Sequence, residues 1–541
     1  MGKRSNGCIT CRKRKVKCDE TKPTCIRCSK ATYTCRGYDQ PWLDEARFKD
    51  AAEQRAAERD EEYRGSHEEM LPHGSLQSKG ILTRDAVSDS LNLSAFREDI
   101  CRSFVFHRLC AGPEYSKAMI WWLNPSPKAE VQSKTLVSAS KAMSAAFFGR
   151  VHQQAKILTE GGNMYSDALS NLSQDLSHPV KAYTFETLGA TMALTMYELV
   201  HMGADGPGWV SHAGGIGKLL EARGPGRHKT YPEKSVYLES RLLLVSNGIF
   251  TCQRTFLEET RWKDEPWEDD LLSKRPFEYL VDLLSDIPSF LQQITRGKFH
   301  FSMPPTISSG VHPQLDRLRL RKEVLERFHT VRDIREMWHA KYTNPVWQVS
   351  AKPMSLLTSV EGNPTQSAEP PFQTVLRFSD MNRGHDFLLW KTAQILLIML
   401  YEQLAHEMEP SVSDHTQDWQ HILPGTSLQS IVQDICRCTD YMLLDIHGSR
   451  GYIVLMFPAT VAYFASDKSS AEAKWLRNVC KQHAGSSGFG YGDFALDQAT
   501  PLSMWMDDWK ARRGTTRPLL EDIGLRAPEH PGISKPVESP S

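Results

Sequence analysis

Cys8-Ile9-Thr10-Cys11-Arg12-Lys13-Arg14-Lys15-Val16-Lys17-Cys18 is followed, seventeen residues on, by Cys25-Ile26-Arg27-Cys28-Ser29-Lys30-Ala31-Thr32-Tyr33-Thr34-Cys35. The spacing C-x2-C-x6-C-x6-C-x2-C-x6-C maps Cys8, Cys11 and Cys18 onto Cys25, Cys28 and Cys35, an internal repeat of one small unit. These are six of the chain's 12 cysteines; the other six, Cys101, Cys110, Cys252, Cys436, Cys438 and Cys480, are scattered. A segment of roughly 30 residues cannot bury a useful apolar core, and only Ile9, Val16, Ile26 and Tyr33 offer themselves for one. A structural zinc takes four ligands and suits thiolate. Six thiolates fill one site with two left over, or fill two sites when two sulfurs bridge both metals. A binuclear cluster therefore uses every cysteine in the segment. Metal binding then supplies most of the folding free energy, about 10–16 kcal/mol for a structural zinc.

The whole chain has 541 residues, 65 Lys and Arg against 65 Asp and Glu, 40% hydrophobic residues and 24% charged ones. That composition excludes a wholly disordered chain, a collagen-like chain and a many-pass membrane protein. Zero net charge argues against a nucleic-acid binder only until the chain is divided. Residues 1–38 hold eleven basic side chains and two acidic ones, net +9, and the remaining 503 hold 54 and 63, net −9. Two zinc ions and six thiolates would leave about +7 on the small module. Phosphate is the natural counter-anion for such a density, because neutralised phosphates release their counterions. The run Arg12-Lys13-Arg14-Lys15-Val16-Lys17 lacks Gly and Pro, and Arg and Lys are good helix formers. One or two helical turns here would fan basic side chains off a metal-anchored support, where they can donate to guanine O6 and N7 in the major groove. Lys3-Arg4 and Arg12–Lys15 also have the spacing of a bipartite nuclear-import signal.

Met1–Asn6 is basic with no apolar run behind it, so no secretory signal is expected. Asn6 fails the myristoylation pattern. The longest apolar stretch, Tyr452–Ala465, holds 14 residues, short of the ~20 a membrane span needs, and reads as a buried core segment. An intracellular, reduced protein follows, in which clustered cysteines favour metal over disulfides.

Residues 8–35 resemble the fungal binuclear zinc-cluster, zinc(2)-cysteine(6), DNA-binding domain, down to Cys-Arg-x-Arg-Lys-x-Lys-Cys-Asp at Cys11–Asp19 and Pro23 before the fourth cysteine. The resemblance implies that Cys8 and Cys25 bridge two zinc ions. Cys11 and Cys18 would complete one site, and Cys28 and Cys35 the other. It further implies that the first short helix enters the major groove and that Arg14 and Lys15 stand where the family reads CGG-type triplets. Arg12 and Lys17 would make phosphate or edge contacts, with Lys13 in the same DNA-binding run, and Pro23 would turn the chain between the half-repeats.

Beyond a module at 1–42, residues 43–92 read as a charged flexible linker. No Leu, Ile or Val lies between Leu43 and Leu71, so the apolar heptads of a coiled coil are absent. Residues 93–517 read as an all-helical domain of about ten or more helices. Its stripes are Phe185, Leu188, Met192, Met196 and Leu199; Val324, Phe328, Val331, Ile334 and Trp338; and Leu428, Ile431, Val432, Ile435, Met442 and Ile446. Thr426 and Gln429 offer a capping box before the last stripe and Gly448 a stop after it. A Pro-rich insert is expected near 344–373 and a disordered tail over 518–541. Trp209-Val-Ser-His212-Ala-Gly214-Gly215-Ile-Gly217-Lys218-Leu219-Leu220-Glu-Ala-Arg223-Gly224-Pro225 resembles the His-x-x-Gly…Leu-Leu…Arg-Gly-Pro stretch of the fungal-specific transcription-factor regulatory domain. That resemblance implies a helical region that senses or transmits regulatory signals. Read from the residues alone, the stretch is a helix whose small residues meet a neighbouring helix closely and which ends at Gly224-Pro225.

No catalytic constellation survives inspection. Gly214–Leu219 approaches a phosphate loop, but His212 and Leu219 stand where Gly and Ser or Thr are required. His406-Glu407 is not followed by the second His of a zinc protease, and Gly488–Gly492 lacks a βαβ context. The expectation is a mostly α, non-enzymatic nuclear protein: a two-zinc, six-cysteine DNA-binding module with a large helical regulatory domain, regulating RNA polymerase II transcription. Double-stranded DNA is its main partner. A second copy of the chain, nuclear import factors and the transcription machinery are further candidates, and no membrane is expected. The alternative is a helical ligand-binding or enzymatic domain whose basic zinc module serves localisation or non-specific nucleic-acid binding.

Overall fold

The computed structural model describes residues 8–19, 21, 25–31, 35, 96–110, 133–201, 208–295, 313–351, 370–406, 418–490 and 495–515. The charged segment 43–92, Pro23 and the tail 518–541 lie outside them. The chain divides into two compact units, Met1–Leu91 and Asn92–Ser541. Among the described residues of the first are two short helices, α1 (Ile9–Lys13) and α2 (Ile26–Lys30).

The second unit is built from helices α3 (Arg97–Leu109), α4 (Lys134–Val151), α5 (Ala155–Leu176), α6 (Phe185–His201), α7 (Gly208–Arg223) and α8 (Glu233–Thr251), followed by α9 (Thr260–Asp264), α10 (Pro276–Leu284), α11 (Ile287–Thr295) and α12 (Pro313–Lys341). After a pair of strands come α13 (Met381–His406), α14 (Asp418–Ile422), α15 (Leu428–Met442), α16 (Gly448–Ala465), α17 (Ala471–Ser487) and α18 (Pro501–Thr515). Helix α4 packs against α3, α5 and α6, and α6 packs on to α7. The expected α6 stripe faces this bundle: Leu188 and Met192 are buried, and Phe185, Met196 and Leu199 pack against the core.

Two helices form the centre. Of the 26 residues of α13, 23 are buried, so it has no solvent face. A helix apolar on all sides is stable only when surrounded, and α13 is surrounded by α10, α11, α12, α15, α16 and α18. Helix α16 is buried in 16 of its 18 residues and contains the apolar stretch Tyr452–Ala465 with Pro458 inside it. No helix among the described residues is long and apolar enough to cross a membrane. The α12 stripe of Val324, Phe328, Val331, Ile334 and Trp338 is buried throughout.

Several local expectations need correction. The second unit is not wholly helical: within the Pro-rich segment 344–373, Val346–Ser350 forms strand β1, which pairs antiparallel with β2 (Thr374–Phe378). Val346, Leu376 and Phe378 pack into the core, an alternation too short for its period to stand out. The capping box sits one residue later than Thr426, where the Ser427 and Ser430 side chains cap each other's main-chain N–H groups. The α15 stripe stops at Met442, and Ile446, in a separate turn, is 74% exposed. Gly448 starts α16 rather than ending α15. Its φ of +55° suits glycine, and a Cβ there would stand 2.6 Å from the Arg108 carbonyl oxygen.

The motif over 209–225 is a helix that ends at Arg223, as its residues suggest. The close contact does not follow: a Cβ on Gly214 or Gly215 would meet nothing within 4 Å. Arg223 is buried instead, donating to the Tyr183 carbonyl and pairing with Glu233.

Gly451 lies where α16 crosses the end of α15, and a Cβ there would stand 1.8 Å from the Met442 carbonyl oxygen. Gly451→Ala should cost about 1–3 kcal/mol as an overpacked contact. Gly214→Ala, in open space, should add up to about 1 kcal/mol from helix propensity. Thermal melts of the two variants should therefore move in opposite directions. Buried His228 donates its Nδ1–H to the Glu233 carbonyl at 3.2 Å, and burial pushes its imidazole down to about 4. The unfolded chain takes up this proton near pH 6.5, so the stability His228 allows is fully present above that pH and falls as pH drops toward 4. This group alone contributes a slope of about 1.4 kcal/mol per pH unit. In His228→Phe, that part of the Tm–pH profile should flatten.

Candidate metal centre and nucleic-acid interface

The two half-repeats fold alike. Cys8 precedes α1 and its Sγ accepts the Cys11 N–H at 3.3 Å; Cys25 precedes α2 and its Sγ accepts the Cys28 N–H at 3.3 Å. Each C-x2-C thus places the first sulfur as a cap over the helix N-terminus and brings the second back beside it one turn later. The seventeen-residue sequence offset becomes a repeated hydrogen bond.

The sulfurs converge. Cys8 Sγ lies 3.6 Å from Cys25 Sγ and 3.8 Å from Cys28 Sγ, and Cys11 Sγ lies 3.7 Å from both Cys25 Sγ and Cys28 Sγ. These four residues are buried, while Cys18 and Cys35 are half-buried against them. Two sets of four arise, Cys8, Cys11, Cys18, Cys25 and Cys8, Cys25, Cys28, Cys35, each with its sulfurs within 4.8 Å of one another. Cys8 and Cys25 belong to both.

The distances suit a metal. Every described cysteine is a free thiol, and these separations are far beyond the S–S bond of about 2.05 Å. A tetrahedral ion bound at about 2.3 Å separates its sulfurs by roughly 3.8 Å. Without a cation the cluster opposes ionisation: burial raises the thiols of Cys11 and Cys25 and pushes Cys8 up to about 12. A dication among the sulfurs reverses that preference, and soft thiolate donors select zinc-like metals.

The half-repeats are also joined by Asp19, which composition marks only as an acid. Its Oδ1 accepts from Thr21 Oγ1 at 2.5 Å and from the Ile26 N–H at 3.0 Å; its Oδ2 accepts from the Arg27 N–H at 2.7 Å. These hydrogen bonds, that from Thr21 foremost, hold its carboxyl well below the usual range. The Arg27 guanidinium returns to the Lys17 carbonyl at 2.7 Å. No fixed cap spacing points to Asp19, because it lies seven residues before α2.

The basic run is not a longer helix. Helix α1 ends at Lys13, and Lys15 takes the left-handed conformation with φ +54°. The Val16 N–H then reaches the Cys11 carbonyl at 3.0 Å, closing a Schellman-type turn. Lys13, Arg14, Lys15 and Lys17 are all exposed, fanned around this turn; the Arg12 main chain lies in α1 and its side chain lies outside the described set. Among the described residues of the module Asp19 is the one acid, and its oxygens are engaged. The surface is cationic.

Residues 6–43 match the family model of the fungal Zn(2)-Cys(6) binuclear cluster domain. The N-terminal module belongs to that family. The chain is similar to the transcriptional regulatory protein moc3 of Schizosaccharomyces pombe, 59% identical over 32 residues, or 6% of each chain. Over 38 residues it is 57% identical to the aspercryptin biosynthesis cluster-specific transcription regulator atnN of Emericella nidulans, 7% of this chain and 6% of that one. An uncharacterized protein of Emericella nidulans is 29% identical over 125 residues, 23% of this chain and 27% of its own. The chain thus matches only about a quarter or less of these relatives' lengths. No solved structure matches the chain.

Cys25→Ala should strip metal from both four-sulfur sets, whereas Cys35→Ala should leave the set of Cys8, Cys11, Cys18 and Cys25 intact. Zinc per chain, measured by mass spectrometry under native conditions, should fall to near zero in the first variant and to about half in the second.

Proposed function

We infer that the chain is a zinc-dependent, sequence-specific DNA-binding transcription factor of the nucleus, acting on RNA polymerase II promoters. The observation that carries this reading is the pair of four-sulfur sets sharing Cys8 and Cys25 beneath an exposed turn of Lys13, Arg14, Lys15 and Lys17. In this reading two zinc ions occupy the sets, bridged by Cys8 and Cys25. Cys11 and Cys18 complete one site and Cys28 and Cys35 the other. The metals hold α1 and the turn rigid, so that few side chains need ordering when DNA binds. Arg14 and Lys15 donate to guanines of a CGG-type triplet, and Arg12, Lys13 and Lys17 neutralise phosphates. The similarity to moc3 and atnN, both regulators of transcription, supports the same assignment.

The helical unit serves regulation in this reading. The support is the His212–Pro225 stretch, with its resemblance to the fungal-specific regulatory domain, and the net −9 of residues beyond the cationic module. The domain limits follow as 1–42 for the reader, 43–92 for the linker, 93–517 for the regulatory body and 518–541 for the tail.

Fluorescence anisotropy of the zinc-loaded full chain at ~150 mM salt should show CGG-containing DNA bound at least about a thousandfold more tightly than a scrambled duplex. Equal binding of both would remove the sequence-specific reading. Lys15→Ala should cost about 1–3 kcal/mol and relax selectivity at one base pair, while Lys17→Ala should weaken all duplexes alike and lower the salt slope by about 1. Lys15→Gly, which suits a positive φ, should lose the same selectivity without backbone strain.

A further inference from the structure

Strand β1, Val346-Trp347-Gln348-Val349-Ser350, pairs with β2 along one edge, and among the described residues its other edge has no main-chain partner. The Ala351 N–H bonds the Gln373 carbonyl at 2.8 Å and the Ser379 N–H bonds the Pro345 carbonyl at 3.2 Å, one at each end of the ribbon. With Gln348 opposite Leu376, this phase directs the main-chain groups of Trp347 and Val349 toward β2, and those of Val346, Gln348 and Ser350 outward. The outer edge of β2 is covered: Arg437, on α15, donates from Nε to the Thr374 carbonyl at 3.0 Å and from Nη2 to Thr374 Oγ1 at 2.7 Å. Among the described residues none bonds the main-chain N–H or C=O of Val346, Gln348 or Ser350.

Monomeric proteins blunt such an edge with charge, proline or a bulge. The five residues of β1 contain no charge and no proline, the ribbon pairs without a bulge, and Trp347 is 47% exposed. The sequence is also complementary to itself. An antiparallel copy centred on Gln348 sets Val346 against Ser350, Gln348 against Gln348, and Trp347 against Val349 twice. Gln348 then forms a hydrogen-bonded pair with its counterpart, which is the phase its outward main chain requires. An aromatic side chain opposite a β-branched one is a favourable cross-strand pair, and no like charges meet.

We propose that β1 is a dimerisation edge, joining two copies of the chain through an isologous antiparallel strand pair centred on Gln348. The two ribbons become one four-stranded sheet, β2-β1-β1-β2. The surface belongs to the helical unit and does not depend on the zinc reading.

The test is sedimentation of the zinc-loaded full chain over a dilution series, with two variants. Gln348→Pro removes an outward N–H and no β1–β2 hydrogen bond, so the ribbon tolerates it while the proposed pair loses two main-chain bonds. Wild type should sediment as a dimer with a concentration-dependent melting temperature, and Gln348→Pro as a folded monomer that still melts cooperatively, at a temperature independent of concentration. Should that variant unfold, Ser350→Lys, which places a charge at each end of the pair, gives the same reading. Gln348→Cys should form an intermolecular disulfide at its own position under mild oxidation, because paired Cα atoms stand about 5.5 Å apart. Ser350→Cys should not, since its counterpart lies about 14 Å away at 3.4 Å per residue. A wild-type monomer overturns the proposal and leaves the edge to an extended segment of another protein. A dimer that survives Gln348→Pro or Ser350→Lys, or that cross-links through Ser350→Cys in preference to Gln348→Cys, overturns it as well.

Discussion

Four buried sulfurs, from Cys8, Cys11, Cys25 and Cys28, face one another at 3.6–3.8 Å across the two half-repeats, and among the described residues no apolar core surrounds them. Everything in the N-terminal module depends on how that crowding is resolved. As thiols they offer weak packing; as thiolates they repel. In the proposed reading a pair of dications among them would convert the repulsion into the main source of folding free energy, on the order of 10 kcal/mol per metal. The two short helices, each five residues long, are below the length at which a helix holds itself together. They persist because a cysteine caps each one and the sulfurs tie the caps together.

Anchoring has an electrostatic consequence. The cationic turn after α1 is carried on a support that does not collapse when its charges repel. Asp19 is held at the α2 N-terminus, where its single negative charge is outnumbered by the exposed Lys13, Arg14, Lys15 and Lys17. The left-handed Lys15 breaks what would otherwise be a longer basic helix. The charges therefore fan around a turn rather than lie along one face, a compact arrangement suited to a few adjacent base pairs. The acidic balance of the remaining chain keeps the total at zero, which conceals the cationic module from any whole-chain average.

Much of this was legible in the residues. The repeat of C-x2-C-x6-C, with its constant offset of seventeen, marked two copies of one small unit, and Cys8 and Cys25 do occupy equivalent places before their two helices. The buried stripes of α6 and α12 followed from period alone. The misses have physical causes. Thr426 and Ser427 are both good caps, and only packing chose the second. Ile446 continues the period of α15 but lies beyond its last turn, where periodicity has no meaning. Gly448 resembled a stop because a positive φ serves a helix end and an inter-helix turn equally well. Strand β1 was hidden by prolines on either side of five residues, too few for alternation to register. Asp19 escaped because its partners are close in space and not at a standard capping distance in sequence.

The central claim is that six thiolates hold two metals by sharing two sulfurs. Zinc K-edge X-ray absorption on the full chain, at a metal content measured on the same sample, tests it directly. Sharing requires two zinc ions per chain, each with four sulfurs at about 2.3 Å and no lighter ligand. One zinc per chain, or two whose shells include nitrogen or oxygen in place of the shared sulfurs, would contradict it.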